Sequence, residues 1–262
     1  MVNPQGLVTT TTTTTGAPTT TTTPAPEPWL TGWDYRKSFP LSRASGAVTD
    51  YQIKITVHRS AGSDSGSDVY VGTNCEADYD DIRFTTSDGE TLLDYWIEYA
   101  DSDYATIWVE FDSIGTDATT FYMYYGNAAA AAYSDGEATF PFFDDFNDDS
   151  IDTAKWFHWI DNGSEAESGG IFSITGGAGT YNAWGAKTKF GVNYAYRTSV
   201  KANSDATESG LDFVIFGIDD RSADGNYEGS GRDSAHIKVS TAKLYAAADE
   251  GILHRLGGEI DM

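Results

Sequence analysis

The chain has a single cysteine, Cys75, in 262 residues. That excludes an internal disulfide framework, and the lone thiol is expected to be buried and inert. Positive charge is scarce as well. Sixteen Lys and Arg face 40 Asp and Glu, giving a formal charge of −24 and a pI near 4.2. Nucleic acid and anionic membranes both need cationic surface, so neither is expected as a partner. No apolar run approaches the roughly 18 residues of a membrane-spanning helix, so no membrane insertion is expected. Residues 1–8 show neither the basic nor the apolar part of a secretory leader. His58, His158, His236 and His254 are scattered without metal-ligand spacing, and no nucleophile elbow is present. Gly169-Gly170 and Gly176-Gly177 read as turn glycines, not as a phosphate-cradling loop.

Five of the seven prolines precede Trp29, and residues 9–15 and 19–23 are unbroken threonine. With almost no large apolar side chain, residues 1–29 cannot offset the entropy of ordering and read as a disordered Thr/Pro-rich tail. The composition suits an O-glycosylated stalk, with Thr9, Thr10, Thr19 and Thr20 among the acceptors, or an unmodified flexible linker. Asn162-Gly-Ser164 adds one N-glycosylation sequon.

Beyond the tail, 40% hydrophobic and 14% aromatic residues are enough to build a core. The period there is two. Tyr51, Ile53, Ile55 and Val57 alternate with polar residues, as do Ala105, Ile107, Val109 and Phe111. Phe121, Met123 and Tyr125 repeat the pattern, and Ser87-Asp88-Gly89 marks a tight turn. Ala128 to Ala132 reads as a small-residue linker or one helical turn. Strand candidates return at 171–174, 184–188, 194–201, 211–218, 235–239 and 243–247, after an acidic, turn-rich stretch at 142–156. The predicted fold class is all-β: two jelly-roll-like β-sandwich domains, at 30–130 and 140–262, after the tail.

Several pieces in the first of these domains carry a resemblance. They are Trp33-Asp-Tyr35-Arg36, Asp50-Tyr51-Gln52-Ile53, Asp81-Ile82-Arg83-Phe84, Asp88-Gly89 and Leu93-Asp94-Tyr95-Trp96-Ile97-Glu98. Ile107-Trp108-Val109 and Tyr122-Met123-Tyr124-Tyr125-Gly126-Asn127 complete the set. In this order they resemble an uncharacterised bacterial and archaeal family, the domain of unknown function 2341, over roughly residues 30–130. The resemblance implies a small β-sandwich in large surface, secreted or viral proteins, and it brings no catalytic residues. Phe142-Phe143-Asp144-Asp145-Phe146-Asn147, followed by Ile151-Asp152-Thr153-Ala-Lys155-Trp156, is similar to the start of a concanavalin- or laminin-G-like lectin sandwich. Residues 140–262 are shorter than such a sandwich, so a truncated second domain is expected.

Candidate chemistry concentrates in that second domain. Asp145-x-Asn147-x-Asp149 imitates the opening of an EF-hand loop, but Ser150 and Trp156 stand where Gly and Glu belong. Two readings of Asp144, Asp145, Asp148 and Asp149 remain: a solvated acidic turn, or a structural Ca²⁺ site, as the lectin resemblance implies. Asp78, Asp80 and Asp81 form a second acidic group, in which Asp81 belongs to a strand-opening motif and reads as structural. Glu259-Ile260-Asp261 resembles part of the carboxylate strand of laminarinase-type glycoside hydrolases. That strand needs a further carboxylate, and the chain stops short of it. Trp159, Tyr181, Asn182 and Trp184 suit glycan contacts, since aromatic faces stack on sugar rings and amides bind hydroxyls. Trp96, Trp108, Tyr122 and Tyr124 fall in strands and read as core or cross-strand pairs.

These features point to a non-catalytic extracellular or virion-surface module that binds glycans or mediates adhesion. Two alternatives are a structural subunit of a filament, sheath or viral appendage, and a truncated glycoside hydrolase. Expected partners are glycans or neighbouring subunits, and structural Ca²⁺ is the one cofactor considered.

Overall fold

The alternating segments do form strands. The computed structural model describes residues 29–41, 46–160, 163–176, 182–188 and 197–198, together with the strand backbone at 214–219, 234–240, 243–249 and 253–255. For Trp159, Gly176, Asn182 and Ala183 the backbone alone is described. The tail threonines Thr9, Thr10, Thr19 and Thr20, Tyr181, Asn162 and the carboxylates Glu259 and Asp261 lie outside the described residues.

The chain divides into two units, Met1–Phe143 and Asp144–Met262. The first contains β1 (Tyr35–Leu41), β2 (Val48–His58), β3 (Asp68–Tyr70), β4 (Arg83–Thr85) and β5 (Leu92–Leu93). It continues with β6 (Tyr95–Ala100), β7 (Tyr104–Ile114), β8 (Thr119–Tyr125) and the one-turn helix α1 (Gly136–Thr139). One sheet has the order β1-β8-β4-β5, the other β3-β2-β7-β6. All pairings are antiparallel except β2 with β3, which is parallel.

The inner faces meet in a single core. Ile55, Val57, Ile107 and Val109 from the second sheet pack with Phe84, Phe121 and Met123 from the first. Each such side chain contributes about 1.5–3 kcal/mol by leaving water. Alternation explains the assignment: residues on β7 at odd positions from Ala105 to Phe111 are buried, and those between are half-exposed. On β2 the predicted face is right, but only Ile55 and Val57 are fully buried, while Tyr51 at the strand's start is 36% exposed.

After β8 the chain remains on the first unit. Of the two readings of residues 128–132 the linker is the one that forms, opened by a turn in which the Ala130 amide donates to the Asn127 carbonyl at 2.9 Å; the helix forms at Gly136–Thr139, where Asp135 caps it by accepting from the Ala138 amide at 3.1 Å. Phe140 and Phe143 then pack on Trp96, with ring centroids at 5.9 and 4.8 Å. Gln52 Nε2 donates to the carbonyl of Thr139 at 2.9 Å and fixes the end of the helix.

The second unit is also built of antiparallel strands. They are β9 (Trp156–Ile160), β10 (Gly163–Ser168), β11 (Ile171–Gly176) and β12 (Asn182–Ala186), then β13 (Val214–Asp219), β14 (Ser234–Ser240), β15 (Lys243–Asp249) and β16 (Leu253–Arg255). β9 pairs with β12 and β10 with β11, while β13 to β16 follow one another in a single sheet. Of the strand candidates in this part, 194–201 lies outside the described residues except at 197–198. The chain is all-β in both units, and among the described residues no helix is long and apolar enough to cross a membrane.

Candidate functional site

Three places in the structure gather chemistry-bearing side chains. The first is a buried polar junction at one end of the first sandwich. Asp81 is 1% exposed. Its carboxylate accepts from the amides of Gly126 (2.6 Å), Glu76 (3.0 Å) and Asn127 (3.4 Å) and from Cys75 Sγ (3.1 Å). Its carbonyl accepts from Trp33 Nε1 at 2.6 Å. Burial, reinforced by Asp81, pushes the Cys75 thiol far above its usual range, so it stays protonated and inert. Arg83 is buried beside it, donating to the carbonyls of Asp80, Ile82 and Ala131 and to Tyr95 Oη. Its guanidinium also lies over the rings of Trp33 and Tyr133. The side chains of Asp81 and Arg83 are spent on the fold, so the junction is architectural.

The second place is the outer face of the sheet β3-β2-β7-β6. Here the register puts Tyr70, His58 and Tyr104 side by side on three neighbouring strands. His58 stacks on Tyr70, with centroids 4.5 Å apart and planes 13° apart, and lies 6.0 Å from Tyr104. Tyr99 on β6 extends the row, 5.2 Å from Tyr104. Its position depends on a register shift between Ile97 and Tyr99. Without that bulge Tyr99 would continue the inward alternation of Tyr95 and Ile97; with it, Tyr99 turns outward and is 47% exposed.

Carboxylates hold the row at both ends. Asp68 Oδ1 pairs with His58 Nε2 at 2.8 Å, and Asp64 accepts from the Tyr70 amide at 2.8 Å. At the other end Asp101 accepts from Tyr99 Oη (2.7 Å) and from the amides of Asp103 (2.8 Å) and Tyr104 (2.9 Å). These donors, led by the Tyr104 amide, hold the Asp101 carboxyl below its usual range. The far half of the same face is closed. Trp96 and Trp108 are cross-strand partners under Phe140, and Trp108 Nε1 donates to Glu98 Oε2 at 2.9 Å. There burial, and then the charges of Asp112, Asp50 and Asp94, push Glu110 up to about 7.

The third place is the start of the second unit. Trp184, one of the expected glycan contacts, is half-buried: its ring stacks on Phe172 at 3.9 Å and Trp156 at 5.1 Å. Phe146 closes the cluster against Trp156 and Phe172. Trp159 and Asn182 are opposite one strand partner each, Ala183 and Ile160, and their side chains lie outside the described residues.

The aspartates at the start of this unit serve its turns. Asp144 accepts from the Phe146 amide and from Trp156 Nε1, and Asp145 from Asn147 Nδ2. Asp148 accepts from the Ser150 amide, and Asp149 from Gly169. Phe146 and Asp149 sit at positive φ, 56° and 59°. Glu167 is buried nearby, and desolvation together with its hydrogen bond to Asp148 raises its carboxyl. Among the described residues no group of three His, Cys, Asp or Glu side chains is arranged to hold a metal ion, and each of the four aspartates already accepts at one carboxylate oxygen or both. Ca²⁺ therefore enters no step of the reading below. His158 and Glu165 pair across an open cleft of about 490 Å³, which Ile160, Gly163 and Ser164 also line.

Sequence reasoning missed the row of Tyr70, His58, Tyr104 and Tyr99. The alternation of β7 places Tyr104 outward, but only the strand order and the bulge bring the four together.

Residues 78–159 match the model of a family described as a domain of unknown function (DUF2341). The matched stretch includes Asp81 to Phe84, Tyr95 to Glu98 and Tyr122 to Asn127, so much of it is the architectural junction and its strands. Trp33 to Arg36 and Asp50 to Ile53, also part of the resemblance, precede it. No curated protein and no solved structure matches the chain.

Proposed function

We propose that the chain is a non-catalytic recognition module, presented outside a cell or on a virion, that binds glycans through the outer face of its first sandwich. The observation that carries this reading is the row of Tyr70, His58, Tyr104 and Tyr99, left open beside a half of the same face that α1 and Phe140 close. Rigid aromatic side chains with few rotamers make efficient contacts at low entropic cost. Phenol hydroxyls and fixed carboxylates alongside them offer donors and acceptors to sugar hydroxyls. The other two chemistry-bearing places support the choice indirectly. The Asp81 junction is consumed by the fold, and the ring of Trp184 is engaged by Phe172 and Trp156. A lectin-like second unit belongs to the same proposal.

The test is a glycan array probed with the full chain, in parallel with Tyr99→Ala. Saturable binding to a restricted set of glycans, lost in the variant, supports the reading. Saturable binding that Tyr99→Ala leaves intact would move the site elsewhere, and a blank array from the folded chain would remove glycans as its ligand.

A further inference from the structure

The two ends of the aromatic row are not equivalent. Tyr70 has His58 on one face, and at Gly62 even a Cβ would lie 2.2 Å from its ring, so the Gly62 backbone covers it. Tyr99 has Tyr104 on one face, and among the described residues no ring or cation covers the other. The exposed flank of Tyr99 is therefore an open flat π surface at the end of the row.

The charges that act on Tyr99 itself are the carboxylates of Asp101 and Asp103. Asp101 is tied to the Tyr99 hydroxyl and to two backbone amides, so its carboxylate is fixed beside the ring. Asp103, two residues on, accepts from Ser102 Oγ at 3.2 Å. Neither forms an ion pair among the described residues. The nearest cation is Arg59, whose Nη1 donates to the Ser102 carbonyl between them; its Nε is turned to the Cys75 carbonyl, and it forms no ion pair with either carboxylate among the described residues. The face of a phenol ring is the negative part of its quadrupole and attracts cations. An ionised carboxylate next to such a face strengthens the preference. The net charge of −24 repels acidic glycans from the whole surface.

Resting on the glycan reading above, we infer that the open flank of Tyr99, between Asp101 and Asp103, takes the protonated amine of a hexosamine unit, so that the preferred ligand is an amino-sugar glycan. The sugar ring lies on Tyr99, its ammonium faces the two carboxylates, and neighbouring units run along the edges of Tyr104 and His58. Acetylation of the amine removes the charge and with it the discrimination.

The experiment compares binding of a glucosamine oligomer and its fully N-acetylated counterpart to the full chain at physiological ionic strength, with Tyr99→Ala and Asp101→Asn alongside. The expected result is an affinity for the free-amine oligomer at least about tenfold above that for the acetylated one, because acetylation removes both the charge pair and the cation–π attraction while leaving the sugar ring in place. Each variant should lower the free-amine affinity about tenfold while keeping the wild-type unfolding transition. Free-amine binding that Tyr99→Ala leaves unchanged would identify general attraction of a polycation to an acidic protein and overturn the inference. Equal affinity for the two oligomers would overturn it too, while the glycan reading stands. If neither oligomer binds but the array gives other sugars, the inference falls alone; a blank array takes the glycan reading with it.

Discussion

Asp81 Oδ2 lies 2.6 Å from the amide nitrogen of Gly126, 45 residues further along the chain. This bond ties the segment before β4 to the end of β8, and the other oxygen of the same carboxylate ties Cys75 and Glu76 to the same point. A buried carboxylate is costly unless its lone pairs are filled, and here backbone amides and a thiol fill them. The cost of removing it is therefore the cost of leaving those buried donors unpaired. Asp81→Ala is expected to destabilise the chain by about 2–4 kcal/mol. Asp81→Asn should cost nearly as much, because one carboxylate oxygen becomes an NH₂ facing donors. Urea unfolding monitored by tryptophan fluorescence measures both.

Gly126 supplies the other side of that bond and has its own constraint. Its φ is 86°, and a Cβ there would lie 2.5 Å from the ring of Tyr35 and 3.3 Å from the carbonyl of Asn74. Gly126→Ala combines left-handed strain with a clash against a ring stacked on Tyr125. A loss of about 2–3 kcal/mol is expected in the same unfolding experiment.

Cys75 reports on the same junction without perturbing it. Because burial keeps the thiol protonated, a thiol-specific reagent should react only as fast as the first unit opens. Labelling of the native chain at pH 8 is expected to be slow and to accelerate in Asp81→Ala. Rapid labelling of the native wild type would contradict the packing described here.

Glu110 gives a pH signature. Its carboxyl is pushed from 4.5 up to about 7, by burial first and by Asp112, Asp50 and Asp94 after it. The folded state thus binds the proton more tightly than the unfolded one. The stability this provides is complete below about 4.5 and is lost as pH rises through 7. Glu110→Gln mimics the protonated form. It should leave stability unchanged near pH 4 and raise it by about 1–2 kcal/mol at pH 8, a figure reduced from the full shift because the side chain is partly exposed. Thermal unfolding of the two proteins at both pH values decides.

The architecture was legible where alternation is strict. β7 buries every second residue from Ala105 to Phe111, and β8 buries Phe121, Met123 and Tyr125, as the sequence predicts, with Tyr124 between them buried as well. Asp88-Gly89 was legible because its chemistry is local: Asp88 accepts from the amides of Glu90 and Thr91, and Gly89 adopts φ 77°. β9 and β10 were not. β9 begins at Trp156, within the stretch read as an acidic turn, and β10 reads Gly-Ser-Glu-Ala-Glu-Ser, with almost nothing apolar to mark a strand. It forms through its ladder with β11.

The candidate site was the least legible part, for two physical reasons. Exposed flat aromatics and core aromatics have the same composition, so Trp184 attracted a binding role that its stacking on Phe172 makes difficult. Tyr99 gave no signal, because its outward direction comes from the bulge after Ile97 and not from the alternation around it. Pairing register, which a single sequence does not display, decides both.

The central claim is that Tyr99 and its row form a recognition surface and not a stabilising ladder. A cross-strand aromatic contact of this kind contributes only about 0.2–1 kcal/mol, so Tyr99→Ala should fold as the wild type does. The most direct measurement is the glycan affinity of Tyr99→Ala set beside its unfolding free energy. The account predicts that binding falls by about tenfold or more while stability changes by less than about 1 kcal/mol. Unchanged binding with a stability loss well beyond that would show that the row holds the sheet together and recognises nothing.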